Sequence, residues 1–167
     1  AIAITVALER DDVTVDAVEL SPAAEEVARA NIARHGVSAR VTIHPGSLYK
    51  PIGDRRYHVI VSNPPYIPTD EVETLMPDVS EYEPRLALDG GPSGDTVLAP
   101  LVMGARAHLE AGASLVVELG HDQGSRAREL AQAAGFEDIT VRRDLARIER
   151  VLVARQPSPP PVEAPRG

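Results

Sequence analysis

Val13-Thr14-Val15-Asp16-Ala17-Val18-Glu19-Leu20-Ser21-Pro22-Ala23-Ala24 holds the transition that decides the fold. Val13 to Glu19 is a short run rich in β-branched residues and reads as a strand. Ser21 is a natural N-cap, and Pro22 suits the first helical position because its missing N–H has no partner there anyway. Ala24, Val27, Ala28 and Ile32 then recur on one helical face until Gly36 ends the helix. A strand that turns into an amphipathic helix within two residues is the repeating unit of an α/β protein.

The same alternation runs outward from this stretch. Arg40 to Ile43, Tyr57 to Ser62, Ser114 to Leu119, Ile139 to Arg142 and Arg150 to Ala154 read as further strands. Thr96 to Leu109, closed near Gly112, and Gln123 to Ala134, closed by Gly135, read as helices, and so does the opening Ala1 to Glu9 before the turn Arg10-Asp11-Asp12. Strands joined by helical crossovers imply a doubly wound, mostly parallel sheet with helices on both faces. The last two strands are joined only by Asp144-Leu145-Ala146-Arg147, too short for a crossover, so they should form an antiparallel hairpin.

Two stretches fall outside regular elements. Asn63 to Asp95 contains six prolines and Gly90-Gly91, the composition of a long functional loop. After Ala154, the tail from Gln156 to Pro165 carries five prolines and cannot build a core, so residues 156–167 read as a disordered tail after a domain spanning 1–155.

The 167 residues are 43% hydrophobic and 25% charged, with 17 basic against 25 acidic residues and a net charge of −8. That is one domain's worth of chain, and its charge disfavours partners held mainly by electrostatics, such as bulk nucleic acid or an anionic membrane. The absence of cysteine excludes disulfides, zinc–thiolate sites and a thiol nucleophile, and the five histidines lack metal-ligand spacing, so no metal is expected. With no membrane-spanning run and no signal peptide, a cytoplasmic protein is expected. The chain opens on Ala1-Ile2-Ala3-Ile4, without Met and already within an apolar segment, which raises the expectation that something is missing upstream.

Asn63-Pro64-Pro65-Tyr66 carries the strongest chemical signal, at the carboxyl end of the strand Val59-Ile60-Val61-Ser62, where open α/β sheets bind ligands. An Asn oxygen and a backbone carbonyl fixed by the next proline can accept both hydrogens of a planar NH2 group, while an aromatic face packs on its plane. The nitrogen is then aimed at an electrophile. Asn-Pro and Pro-Pro are also ordinary turn sequences, but the position after an apolar strand and before a long loop favours a site. Glu19, at the end of its strand, can accept from two ribose hydroxyls, or can simply be a charge beside a helix N-terminus. Pro45-Gly46-Ser47-Leu48-Tyr49 follows the next strand and taken alone is a surface turn. Glu118 is a further crevice candidate, with Asp122 as a helix cap, and the histidines read as surface or structural groups.

Together with Gly46-Ser47-Leu48-Tyr49, Asn63-Pro64-Pro65-Tyr66-Ile67-Pro68, Tyr82-Glu83-Pro84-Arg85-Leu86-Ala87-Leu88-Asp89-Gly90-Gly91 and Arg143-Asp144-Leu145, the chain from about residue 1 to 154 resembles the HemK-type glutamine methyltransferases of peptide chain release factors. The resemblance implies a class I, S-adenosylmethionine-dependent methyltransferase acting on the glutamine of a Gly-Gly-Gln loop. It implies that Asn63 and the Pro64 carbonyl grip the amide, Pro65 stiffens the loop, Tyr66 packs on the amide, and Glu83 belongs to the substrate site. Glu19 and Leu20 would hold the cofactor's ribose side, Ser47 and Leu48 its adenine, with Asn63 also facing the cofactor. Ser47 departs from the family, which usually has Asp there. The family's first strand, its Gly-rich turn and its N-terminal helical domain are not in these residues. In that topology the first strand is central, so the chain alone is expected to fold marginally and bind cofactor poorly, an expectation that micromolar binding by residues 1–167 would overturn.

Three other readings compete. An adenine-amine methyltransferase would use the same Asn-Pro-Pro-Tyr geometry on a flipped base, but the acidic balance and Glu83-Pro84 with Ala87-Leu88 speak against it. A ribosomal-protein glutamine methyltransferase shares the chemistry and differs in docking surface. An inactive remnant would lack the cofactor turn.

Overall fold

The computed structural model describes residues 1–75 and 83–158. The predicted Met76 to Tyr82 part of the long loop and the end of the Pro-rich tail from Pro159 lie outside the described residues. The chain forms two compact units, Ala1–Arg55 and Arg56–Gly167.

The first unit contains α1 (Ile2–Glu9), β1 (Val15–Glu19), α2 (Pro22–Arg34) and β2 (Val41–Pro45), with a 3-10 turn at Lys50–Ile52. β1 and β2 pair in parallel, with Val15 opposite Val41 and Glu19 opposite Pro45. Ser21 caps α2 as its sequence predicts, its hydroxyl accepting from the Ala24 N–H. Ala7 of α1 and Ile32 of α2 share a core with Val37, Val41 and Ile43, and Val15 and Ala17 pack against it. Side chains alternate across a strand, so both helices occupy the face that carries these residues. On the alternate positions His44 Nε2 lies 2.7 Å from Asp16 Oδ1, with Arg55 on the other carboxylate oxygen. His44 is the structural group its sequence context suggests.

The second unit contains β3 (Tyr57–Ser62), α3 (Thr69–Val72), α4 (Arg85–Leu88), α5 (Leu98–Ala105), β4 (Leu109–Glu118), α6 (Gly124–Ala133), β5 (Glu137–Arg143) and β6 (Glu149–Arg155). Its sheet has the order β3-β4-β6-β5. β3 and β4 are parallel, whereas β6 is antiparallel to both β4 and β5. The predicted hairpin is therefore present, and its second strand lies inside the sheet. β5 consequently runs in the direction of β3 and β4. Leu115, Val117 and Leu152 are fully buried, as are Leu98 and Val102 of α5, which packs on α6 and β4, while α6 packs on β5 and β6.

Two expectations need correction. The helix expected over Thr96 to Leu109 spans only Leu98–Ala105, followed by a 3-10 turn at Arg106–His108 and by β4, which begins at Leu109. Gly112 does not close a helix: it sits within β4 at φ +74°, where the register against β3 shifts and its N–H donates to the Gln156 carbonyl. Tertiary strand pairing overrides the helical propensity of this Ala-containing stretch. Asp122 does not cap α6; Gln123 is the N-cap residue, and Asp122 pairs with His121 at 2.6 Å.

Candidate functional site

In the first unit, the parallel pairing of β1 and β2 brings their carboxyl ends side by side, so Glu19, Leu20, Ser47 and Leu48 share one edge. The Gly46 N–H donates to the Glu19 carbonyl, closing the turn beneath them. Gly46 has φ +141°, and a Cβ there would stand 2.5 Å from Pro51 Cγ, so the chain can take this path only with glycine. Leu48 is also held in the left-handed region, at φ +50°, and Tyr49 after it is half-buried, with desolvation pushing its phenol pKa up. Glu19 Oε1 accepts from the Ser21 N–H at 2.8 Å. Its second oxygen has no hydrogen bond among the described residues, and Leu20 beside it is exposed. A free carboxylate oxygen beside exposed apolar surface can accept from a pair of hydroxyls such as a ribose carries while an apolar ring packs alongside.

In the second unit, β3 delivers Asn63 to the carboxyl edge of the sheet. Pro64 is buried while Asn63 is exposed, so the proline anchors the turn and leaves the amide outside. Asn63, Pro64, Tyr66, Ile67, Glu83, Ala87 and Leu88 line one cleft of about 300 Å³. The structure thus brings Glu83 to the Asn-Pro-Pro-Tyr turn across 20 residues of chain. Pro65 completes the turn without lining the cleft.

The loop after the turn is strapped to the end of α4. The Ile67 N–H donates to the Leu88 carbonyl, the Gly90 N–H to that of Ile67, and the Thr69 N–H to that of Gly91. Asp89 ties the strap by accepting from Thr69 Oγ1 at 2.7 Å and from the Gly91 N–H at 2.9 Å. Chiefly the Thr69 hydroxyl, then the Gly91 N–H, hold its carboxyl below the ordinary aspartate range. Gln123 bridges a second pair of loops: its amide donates to the Gly94 carbonyl at 2.7 Å and accepts from the Gly120 N–H at 2.9 Å. A Cβ on Gly120 would stand 3.1 Å from Tyr66 Cδ2, so the Tyr66 ring lies against bare backbone.

The model of the Methyltransferase small domain family matches residues 1–78. A release factor glutamine methyltransferase of Geobacter sulfurreducens is 44% identical over 154 residues, 92% of this chain and 54% of the relative. A ribosomal protein uL3 glutamine methyltransferase of Bradyrhizobium diazoefficiens is 41% identical over 133 residues, 80% of this chain and 40% of the relative. Over most of its length the chain is thus similar to glutamine methyltransferases. It spans about half the length of the curated relatives it matches. Among solved structures, a ribosomal protein L11 methylase of Lactobacillus delbrueckii subsp. bulgaricus superposes with a TM-score of 0.65 at 16% identity, covering 93% of this chain and 64% of that one, a likeness of fold. No helix of the described residues is long and apolar enough to cross a membrane, and no group of three or more His, Asp or Glu among them could hold a metal.

The sequence does not point to Gln123 and Gly94, the residues that seat the Asn63 turn from behind. Gln123 reads as the first residue of a helix, and Gly94 as one turn glycine among several. The only available signal is the Pro92-Ser93-Gly94-Asp95 turn sequence, which does not reveal that Gly94 meets Tyr66.

Proposed function

We propose that this chain is the catalytic domain, over residues 1–155, of a cytoplasmic enzyme that transfers a methyl group from S-adenosylmethionine to the side-chain amide nitrogen of a protein glutamine, most simply in the Gly-Gly-Gln loop of a peptide chain release factor. The observation that carries the reading is the cleft in which Asn63, Pro64 and Tyr66 meet Glu83 at the carboxyl edge of a parallel strand pair. Identity to a release factor glutamine methyltransferase over 92% of the chain supports it.

Asn63 Oδ1 and the Pro64 carbonyl accept the two amide hydrogens and hold the NH2 plane. An amide nitrogen is a poor nucleophile because its lone pair is delocalised, and positive charge grows on it as the new N–C bond forms. Both oxygens stabilise that charge, and neither is basic enough to retain the proton, which passes to water. Tyr66, backed by Gly120, offers its other ring face to the amide plane, and Pro65 limits the turn's freedom. Glu19 would accept from the cofactor's ribose hydroxyls, Leu20 and Leu48 would give apolar contact, and Ser47 would offer a hydroxyl to the adenine edge. When bound, S-adenosylmethionine would supply the electrophilic methyl, its S–CH3 bond breaking as the N–C bond forms so that it leaves as the neutral thioether S-adenosylhomocysteine. Catalysis then consists of positioning and charge stabilisation without a covalent enzyme intermediate.

The test incubates the full-length protein with labelled S-adenosylmethionine and, in separate reactions, a purified release factor, ribosomal protein uL3 and an adenine-containing oligonucleotide. N5-methylglutamine in the release factor is the expected product. Methylation of uL3 alone would move the substrate to the ribosome, as the 41% identical uL3 methyltransferase suggests. Methyladenine without methylglutamine would sink the reading.

A further inference from the structure

We propose that the β5–β6 hairpin tip is a docking knob for the folded protein that carries the target glutamine, an inference that rests on the function proposed above. The sheet fixes its place. Ser62 pairs with Val117, Val117 with Leu152 and Leu152 with Val141, so the row that continues through Asn63 reaches the hairpin at Val151 and Arg142. Because β5 runs with β3, the hairpin turns at the same edge as the Asn63 cleft, two to three strand spacings away, roughly 10–15 Å. It continues past that row through Arg143 and Glu149 to its turn, overhanging the edge by about two residues, roughly 7 Å.

The tip is built rigidly and left uncovered. Asp144 Oδ1 accepts from the Ile148 N–H, and the backbones of 144 and 148 also pair. Arg128 holds Glu149 through both carboxylate oxygens, fixing the base of the hairpin to α6. Leu145 is nevertheless 106% exposed, and Ile148 beside it is 37% exposed. Arg150 pairs with Asp144, and Arg143 faces Glu149 across the hairpin and adds to the pull of Arg128 that draws its carboxyl down, but Arg142 and Arg147 have no ion-pair partner among the described residues. Arg147 occupies the left-handed region at φ +65°, where glycine would sit without strain, so an arginine is kept at the turn at a conformational cost. Residues 142–150 carry four arginines and two acids, a net +2 in a chain of net −8.

A leucine beside the uncommitted guanidiniums of Arg142 and Arg147 fits a protein surface that is apolar at its centre and acidic at its rim. A nucleic acid fits less well: the tip has no aromatic ring for base stacking, and the chain as a whole is acidic. A glutamine loop entering the Asn63 cleft would bring the body of its own protein over this overhang.

The test uses the full-length enzyme with Leu145→Asp and, separately, Arg147→Gly, which relaxes the turn and so guards against misfolding. The expected result is a KM for the folded release factor raised about tenfold in each variant, with kcat at saturation and S-adenosylmethionine affinity unchanged. An unchanged KM overturns the inference, as does a fall in kcat at constant KM, which would assign the hairpin to the chemistry. Loss of binding to a labelled RNA with the release factor KM intact also overturns it, in favour of a nucleic-acid contact. Failure of the unaltered enzyme to methylate any protein glutamine is a different result and removes the functional reading on which the knob depends.

Discussion

Asn63 is exposed, makes no side-chain hydrogen bond among the described residues and sits on a buried proline, a combination that makes its oxygen available and its position fixed. Asn63→Ala should lower kcat about 100-fold, because an acceptor facing growing charge acts mainly in the transition state. Calorimetry should find cofactor affinity unchanged; a large loss of cofactor binding would place Asn63 in a different role. Glu19 permits a sharper substitution. Glu19→Gln keeps an oxygen for the Ser21 N–H, so the strand-to-helix turn and the melting temperature should survive. Its second position becomes an amide donor facing the ribose hydroxyls, and cofactor Kd should rise ~10- to 100-fold. An unchanged Kd would remove Glu19 from the cofactor site.

The Asn-Pro-Pro-Tyr turn owes its shape to neighbouring loops, and Gly94 is where they meet most closely. It has φ +72°, and a Cβ would stand 2.5 Å from the Tyr66 carbonyl oxygen, which is backbone and cannot swing aside. Gly94→Ala should therefore cut kcat/KM for the protein substrate by at least tenfold while leaving cofactor affinity near normal. Asp89 governs the other side. Its pKa is lowered on folding, so its contribution is complete above the unfolded value, about 4, and is lost as pH falls through the lower folded value. Amide shifts of Gly91 and Thr69 should titrate below pH ~4, and a midpoint above that would separate Asp89 from the strap. These couplings explain what the sequence could and could not disclose. β1 and α2 were legible because alternation, cap and Pro22 are local signals, and Asn63 was legible because its position follows from the strand before it. The length of β4 was not, since Leu109 to Ala113 has helical composition and is held extended by distant partners, Leu109 by Tyr57 and Gly112 and Ala113 by Gln156. Gln123 was hidden for the same reason: its bonds reach Gly94 and Gly120, and only one of those is near it in sequence.

Across the whole chain the two units are unequal in support. β4 is paired on both sides, and Leu115 and Val117 are fully buried, whereas β1 and β2 form a sheet of two strands, a size that relies on its covering helices. Amide exchange should be slowest in β4 and β6 and faster by orders of magnitude in β1 and β2, read by mass spectrometry on the 167-residue chain. Equal protection in the two sheets would mean that they open as one cooperative body. The placement of β6 between β4 and β5 also bears on synthesis. β1 and β2 both lie within Ala1–Arg55 and can pair with each other as soon as both have left the ribosome. β4 must wait with one edge bare while another 30 residues are translated, because its second neighbour is not β5 but the strand after it. Apolar β4 is thus the segment most in need of a chaperone during translation, and pausing between codons 119 and 149 would prolong that exposure.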